Sequence, residues 1–197
     1  MPRYLTVESV KAYARNELPT DDDAFIESAA DAAEMLLDRD CGRKFVVVGA
    51  TATARLFVPE SPSLVRIHDC TEITAVTSSG ATVGSSSYQL EPVNGLTSFG
   101  ETVPYDRIRL LSGSWGLGSS TRFEATVSVT AKWGWAAIPA RIEQAALTIA
   151  KEILVNRDEV KMGLVGFSDV GGVVARTNPM VRATIEHYRR FEALGLA

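Results

Sequence analysis

Apolar residues recur along this chain with two different periods, and the period changes twice. From Thr6 to Arg43 they fall at three- and four-residue steps, the spacing of one helix face. Thr6 is placed to cap a short helix in which Val7, Val10 and Ala14 share a side. Leu18-Pro19-Thr20 breaks it, because proline disfavours a helical residue before it. Thr20-Asp21-Asp22-Asp23 then reads as a Ser/Thr-x-x-Asp/Glu capping box with carboxylates at the positive end of the helix dipole. The second helix it opens carries Phe25, Ile26, Ala29, Ala30, Ala33, Leu36 and Leu37 on one side, and Cys41-Gly42 supplies a glycine stop. A helix cap accounts for the acidic run 21–23, and the ligand spacing of a calcium loop is absent.

From Lys44 to Trp135 the period becomes two. Phe45–Val48, Arg55–Val58 and Leu64–Ile67 are short β-rich runs separated by Gly, Pro and Ser. Glu72–Thr77 alternates into Ser79-Gly80, a predicted turn before a strand around Tyr88–Leu90, and Arg107–Leu110 alternates charge with aliphatic side chains. The longest alternating run puts Phe123, Ala125, Val127, Val129, Ala131, Trp133 and Trp135 on one face. Glu124, Thr126, Ser128, Thr130 and Lys132 lie on the other, the pattern of a half-buried antiparallel strand. Residues 94–106 and 112–121, rich in Gly, Ser and Thr, read as mobile loops.

Helical spacing returns after Ile138. Pro139 suits a first turn, and Ile142, Ala145, Ala146, Ile149, Ile153 and Leu154 form a stripe that runs to Asn156-Arg157. Residues 162–174 are glycine-rich and irregular. Asn178-Pro179 then opens a last helix with Val181, Ile185 and Tyr188 on one side and Glu186 and Arg190 at i,i+4 spacing. The expected fold is α+β: a small helical bundle, made of an N-terminal helix pair and C-terminal helices, with a large inserted antiparallel β region. Its segments are 1–43, 44–135, 136–158 and 159–197, read as one domain with an insertion.

Composition narrows the function classes. Of 197 residues, 46% are hydrophobic and 22% charged, an ordinary globular balance that argues against disorder. Twenty Lys and Arg against 24 Asp and Glu leave a net charge of −4, unsuited to wrapping nucleic acid with the general surface. No leader pattern opens the chain, and no apolar run nears the ~18 residues of a membrane span. Cys41 and Cys70, far apart and without CxxC spacing, read as buried thiols in a reducing compartment.

Catalytic constellations fail one by one. Ser114 in Ser112-Gly113-Ser114-Trp115-Gly116 lacks the first glycine of a nucleophile elbow. Gly116-Leu117-Gly118-Ser119-Ser120-Thr121 lacks the lysine and following helix of a phosphate loop, and reads as a hairpin tip. In His68-Asp69-Cys70, strand alternation puts His68 and Cys70 on one side and Asp69 on the other, with no further metal ligand nearby. His187, beside Tyr188 and two arginines, reads as a surface residue. Arg176, Arg182, Arg189 and Arg190 make the C-terminal region locally basic, which suits a protein–protein surface or a solvated helix face.

The order of segments carries a resemblance. The opening Leu5-Thr6-Val7-Glu8-Ser9-Val10-Lys11-Ala12 and a capped helix ending Cys41-Gly42-Arg43 precede a β region closing on Lys132-Trp133-Gly134-Trp135. Pro139-Ala140-Arg141-Ile142-Glu143-Gln144-Ala145-Ala146 then leads to Asn156-Arg157-Asp158. A glycine-rich stretch from Ser168 to Val174 precedes a helix ending Tyr188-Arg189-Arg190-Phe191. This order resembles the head–tail connector, or adaptor, proteins of long-tailed bacteriophages. The longer β region is closer to the adaptors of actinobacterial phages than to the smaller, single-hairpin members.

The resemblance implies a structural virion protein at the neck, made in the bacterial host cytoplasm and without enzymatic activity, cofactor or metal. It implies a homo-oligomeric ring, typically of twelve copies, that binds the portal protein and offers a platform to the stopper or tail-completion protein. Genome DNA would cross its lumen without sequence-specific binding, past an acidic wall. Arg176, Arg182, Arg189, Arg190 and Phe191 become the candidates for portal or neighbour contacts, with the 159–178 segment and the last helix reaching outward. The loops at 94–104 and 112–121 become candidates for contacts with the next neck ring. A stopper or tail-completion protein is the alternative within the neck. A small hydrolase or metal enzyme using His68, Asp69 and Ser114 is the alternative from another class.

Overall fold

The structure, a computed structural model, describes residues 4–14, 22–97, 100–116, 124–156, 173 and 177–190. The chain is α+β and divides into two compact units, one formed by residues 1–46 with 138–197 and the other by residues 47–137.

In the helical unit, α1 (Val7–Ala14) begins with a reciprocal cap. The Thr6 Oγ1 accepts from Ser9 N–H at 3.1 Å and Ser9 Oγ accepts from Thr6 N–H at 2.9 Å. Helix α2 (Asp23–Cys41) is capped by Asp22, whose Oδ1 accepts from Phe25 N–H at 3.3 Å. The cap therefore falls two residues later than the box read at Thr20, which lies outside the described residues. One aspartate supplies both the acceptor and the favourable charge. The helix ends at Gly42, whose φ of 63° is the left-handed conformation that lets Gly42 and Arg43 N–H reach back to the Arg39 and Asp38 carbonyls.

Helix α3 (Ala140–Val155) packs chiefly on α2. Both carry alanine-rich stripes, Ala29, Ala30 and Ala33 on α2 and Ala145, Ala146 and Ala150 on α3, all buried. Pro139 sits at the cap of α3, one residue before its first turn. Helix α4 (Pro179–Tyr188) starts at Asn178, whose side chain accepts from Met180 and Val181 N–H, with Pro179 in the first turn. It buries Val181, Thr184, Ile185 and Tyr188, and the Tyr188 ring meets Phe45 edge-on at 6.0 Å. The last helix is thus a wall of the bundle. It stops at Tyr188, so Glu186 pairs with Arg182 at 2.8 Å and not with Arg190 as the i,i+4 spacing predicted.

The β unit is a six-stranded antiparallel sheet of β1 (Thr53–Phe57), β2 (Leu64–Ser78), β3 (Ala81–Thr82), β4 (Tyr88–Glu91), β5 (Tyr105–Leu110) and β6 (Val127–Trp133). Its order is β1-β6-β2-β5-β4, with β3 on β2. Three expectations are corrected. Phe45–Val48 forms no strand, only an isolated parallel bridge from Val47 to Trp135. The runs at 64–67 and 72–77 are one 15-residue strand, β2, whose first half pairs with β5 and second half with β6 through register irregularities. The alternating run after Phe123 becomes strand only at Val127.

One face of the sheet holds the core: Phe57, Val65, Ile67, Cys70, Val76, Ile108, Val127, Val129 and Ala131. Trp115 joins it from outside any strand, 1% exposed, with its backbone N–H donating to the Pro62 carbonyl at 2.7 Å. Gly116 N–H donates to Ser78 Oγ, and the Thr126 hydroxyl donates to the Gly116 carbonyl. The described part of 112–121, read from its small residues as a mobile loop, is therefore anchored on the sheet through its one large side chain. Trp115→Ala should cost about 3–5 kcal/mol in chemical denaturation. Trp115→Phe should cost well under half of that, because the buried indole N–H has no hydrogen-bond partner among the described residues.

Candidate functional site

The five contact candidates distribute unevenly. Arg176 and Phe191 lie outside the described residues. Arg182 is exposed on α4 and paired with Glu186. Arg189 is exposed, and Arg190 is half-buried just past the helix, its N–H donating to the Cys41 carbonyl at 2.8 Å. That bond ties the end of α4 to the end of α2, so Arg189 and Arg190 join Arg39, Arg43 and Lys44, which flank the Gly42 stop. Sequence reasoning missed those three. The available signal was their position at a helix C-terminus, where the dipole favours cations.

The carboxylates in this region are engaged. Asp40 meets Arg39 at 2.8 Å, and Asp38 Oδ1 accepts from Phe45 N–H at 3.1 Å. Burial pushes the Asp38 carboxyl above the usual carboxylate range, against the opposing pull of that hydrogen bond and of Lys44. Burial likewise pushes the Cys41 thiol up to about 12, so it is a protonated, unreactive group at neutral pH. The Tyr4 hydroxyl is raised by burial and then by the charges of Asp38 and Glu34. Glu34 also accepts from the N–H groups of Tyr4 and Leu5, fixing the chain that leads into α1.

The residues of the enzyme alternative do not converge. Irregular pairing around residues 66–70 breaks strand alternation, so Asp69 and Cys70 are both buried while His68 is exposed. His68 and Cys70 therefore do not share a side as alternation predicted. The Asp69 carboxylate accepts from Trp135 Nε1 at 3.2 Å. Arg55 Nη1 lies 2.9 Å from His68 Nδ1, and a guanidinium can only donate, so Nδ1 accepts and the imidazole proton sits on Nε2. The imidazole is held edge-on against Phe57 and Trp133, and Arg55 covers the Trp133 ring at 4.6 Å. Ser114 is exposed beside the buried Trp115. Among the described residues no group of three or more His, Cys, Asp or Glu is placed to hold a metal. No described helix is long and apolar enough to cross a membrane. The described residues thus gather Arg39, Arg43, Lys44, Arg189 and Arg190 at one end of the helical unit.

No known protein family and no curated protein sequence matches the chain. Among solved structures it is similar to a chain of the "Virion of native gene transfer agent (GTA) particle", with a TM-score of 0.52 and 18% identity. The superposition covers 97% of this chain and 92% of that one. The likeness is one of fold. It spans both units of the chain, the β insertion as well as the helices.

The raised Asp38 carboxyl has a measurable consequence. Below the ordinary carboxylate range both folded and unfolded states are protonated and Asp38 has no effect. As pH rises through that range the unfolded chain releases its proton first, so stability falls until the folded group has titrated as well. Asp38→Asn keeps the acceptor for Phe45 N–H without the charge. We expect it to have the higher Tm at pH 7, with the difference vanishing near pH 3 in scanning calorimetry (about one unit below the unfolded carboxylate value).

Proposed function

We propose that this chain is a structural virion protein of a tailed, phage-like particle: a head-to-tail adaptor whose copies form a ring below the portal, extend the DNA channel and present a platform to the stopper and tail. The observation that carries the reading is the whole-chain likeness in fold to a chain of a virion particle, with nearly complete coverage in both directions. The order of segments, a helical bundle interrupted by one large β insertion, supports the same assignment, with the two parts acting as a single domain.

The chemistry is consistent with that role. In this role the chain would work through shape and charge, with His68 held by Arg55 and Asp69 by Trp135 as structural contacts. A net charge of −4 suits a wall past which phosphates slide without being gripped, because retention on DNA depends on basic contacts. The portal, the stopper and further copies of the chain are the partners this role requires. Arg182, Arg189 and Arg190, with Arg176 and Phe191, are the contact candidates at the C-terminal end, and the loops at 94–104 and 112–121 are those for the next ring.

A truncation after Asn178 would remove the buried Val181, Ile185 and Tyr188 and open the bundle, so it does not separate portal contact from folding. Point changes on exposed arginines are the sound alternative. For the role itself, particles made without this protein should accumulate as heads lacking tails, and tails should return when it is supplied in trans. Tailed, infectious particles at normal yield in its absence would contradict the assignment.

A further inference from the structure

One short segment holds both ends of strand β2. Trp115 N–H donates at 2.7 Å to the carbonyl of Pro62, just before the strand, and Gly116 N–H donates at 3.1 Å to the Oγ of Ser78, its last residue. A straight strand of 15 residues is roughly 50 Å long. Adjacent residues lie about 3.8 Å apart, so β2 curls strongly for Trp115 and Gly116 to reach both its ends. The register irregularities between Arg66 and Ala75 supply the bend. The buried Trp115 belongs to the same core cluster as Val65 from the first half of β2 and Val76 from the second.

The rest of the segment is loosely attached. Leu111, Ser112, Gly113 and Ser114 are exposed, Leu111 at 60%. The bonds from Gly116 go to the hydroxyls of Ser78 and Thr126, outside the strand ladder, so losing them leaves the strands paired. The indole N–H of Trp115 is buried without an acceptor among the described residues, and it regains one from water only by leaving the core. Leu111 N–H, bonded to the Ser87 carbonyl, fixes the base of the segment, and Gly113, at a φ of 80°, provides a pivot. We propose that residues 112–116 are a reversible clasp. They open as one unit and carry the Trp115 indole from the core into solvent while the strands stay paired, as local opening does where buried contacts are few. Opening adds Trp115 to the exposed Leu111 as apolar surface. Within the adaptor reading the clasp belongs to the loop proposed to meet the next ring, but the opening itself stands without that reading.

Hydrogen exchange followed by NMR on the full chain tests it. The Trp115 indole proton and the Trp115 and Gly116 amide protons should exchange together, at least about tenfold faster than the amides of Val129 and Ala131 in β6. Urea below the unfolding transition should barely change the three clasp protons, because little surface is exposed, and should steeply speed the β6 amides. Ser79→Cys with Gly116→Cys locks the segment: a Cβ at Gly116 lies 3.4 Å from the Ser79 Cβ, close to the separation a disulfide spans. Oxidation of that variant should slow the clasp protons to the β6 rate, and reduction should restore them. Clasp protons as slow as the β6 amides in the unmodified chain overturn the proposal, as does a urea response equal to that of β6, since Trp115 then leaves only when the sheet unfolds. Fast amides beside an indole proton as protected as β6 also overturn it, because the backbone then frays around a fixed Trp115. Each of these outcomes is read on the free chain and leaves the adaptor reading as it was, and a particle without a neck ring of this chain leaves the clasp as it was.

Discussion

The core of the helical unit is built by α2 and α3, which are separated in sequence by the whole β insertion. Their contact forms only if the chain that leaves after Val46 comes back at Ile138. An inserted unit meets this requirement when its two ends lie side by side. Here they do. Val47 and Trp135 form a parallel bridge, and Val48 N–H donates to the Trp135 carbonyl at 2.9 Å. The same tryptophan donates its indole N–H to buried Asp69, while Gly134 N–H donates to the Asp69 carbonyl. Asp69, which beside His68 and Cys70 looks like part of a reactive cluster, fastens the exit of the insertion to its longest strand. A buried carboxylate held by a charge-assisted hydrogen bond is costly to leave unpartnered, so the bond defines a single closed arrangement.

Much of this architecture is legible from periodicity. The stripes of α2 and α3, the Asn178-Pro179 start of α4 and the alternation of Val127, Val129 and Ala131 all appear where spacing puts them. The failures have local physical causes. Phe45 reads as strand because it begins an apolar run, but its ring is taken up between Tyr4 and Tyr188 in the bundle. Strand β2 reads as two because the polar His68-Asp69-Cys70 interrupts its alternation, and the register irregularities that absorb the interruption are invisible without the partner strands. Trp115 was hidden by its small neighbours, whose composition says loop although one indole is enough to bind the segment to the sheet.

The candidate surface was legible only in part. Arg182, Arg189 and Arg190 stand out as a run of basic residues near the chain's end. Their association with Arg39, Arg43 and Lys44 depends on α4 running back to the α2 terminus, a tertiary fact carried by the Arg190–Cys41 bond. The overall charge of −4 conceals this local cationic cluster. In the proposed role, the acidic balance would keep the remaining surface from holding DNA.

The role proposed for this fold is that of a ring between head and tail. A cryo-EM reconstruction of the head–tail junction in intact particles tests it most directly. The claim predicts a closed ring of α+β subunits below the portal, surrounding the DNA path, into which this chain fits with its β insertion resolved. Density for the chain in the capsid shell or the tail tube, or its absence from purified particles, would contradict it.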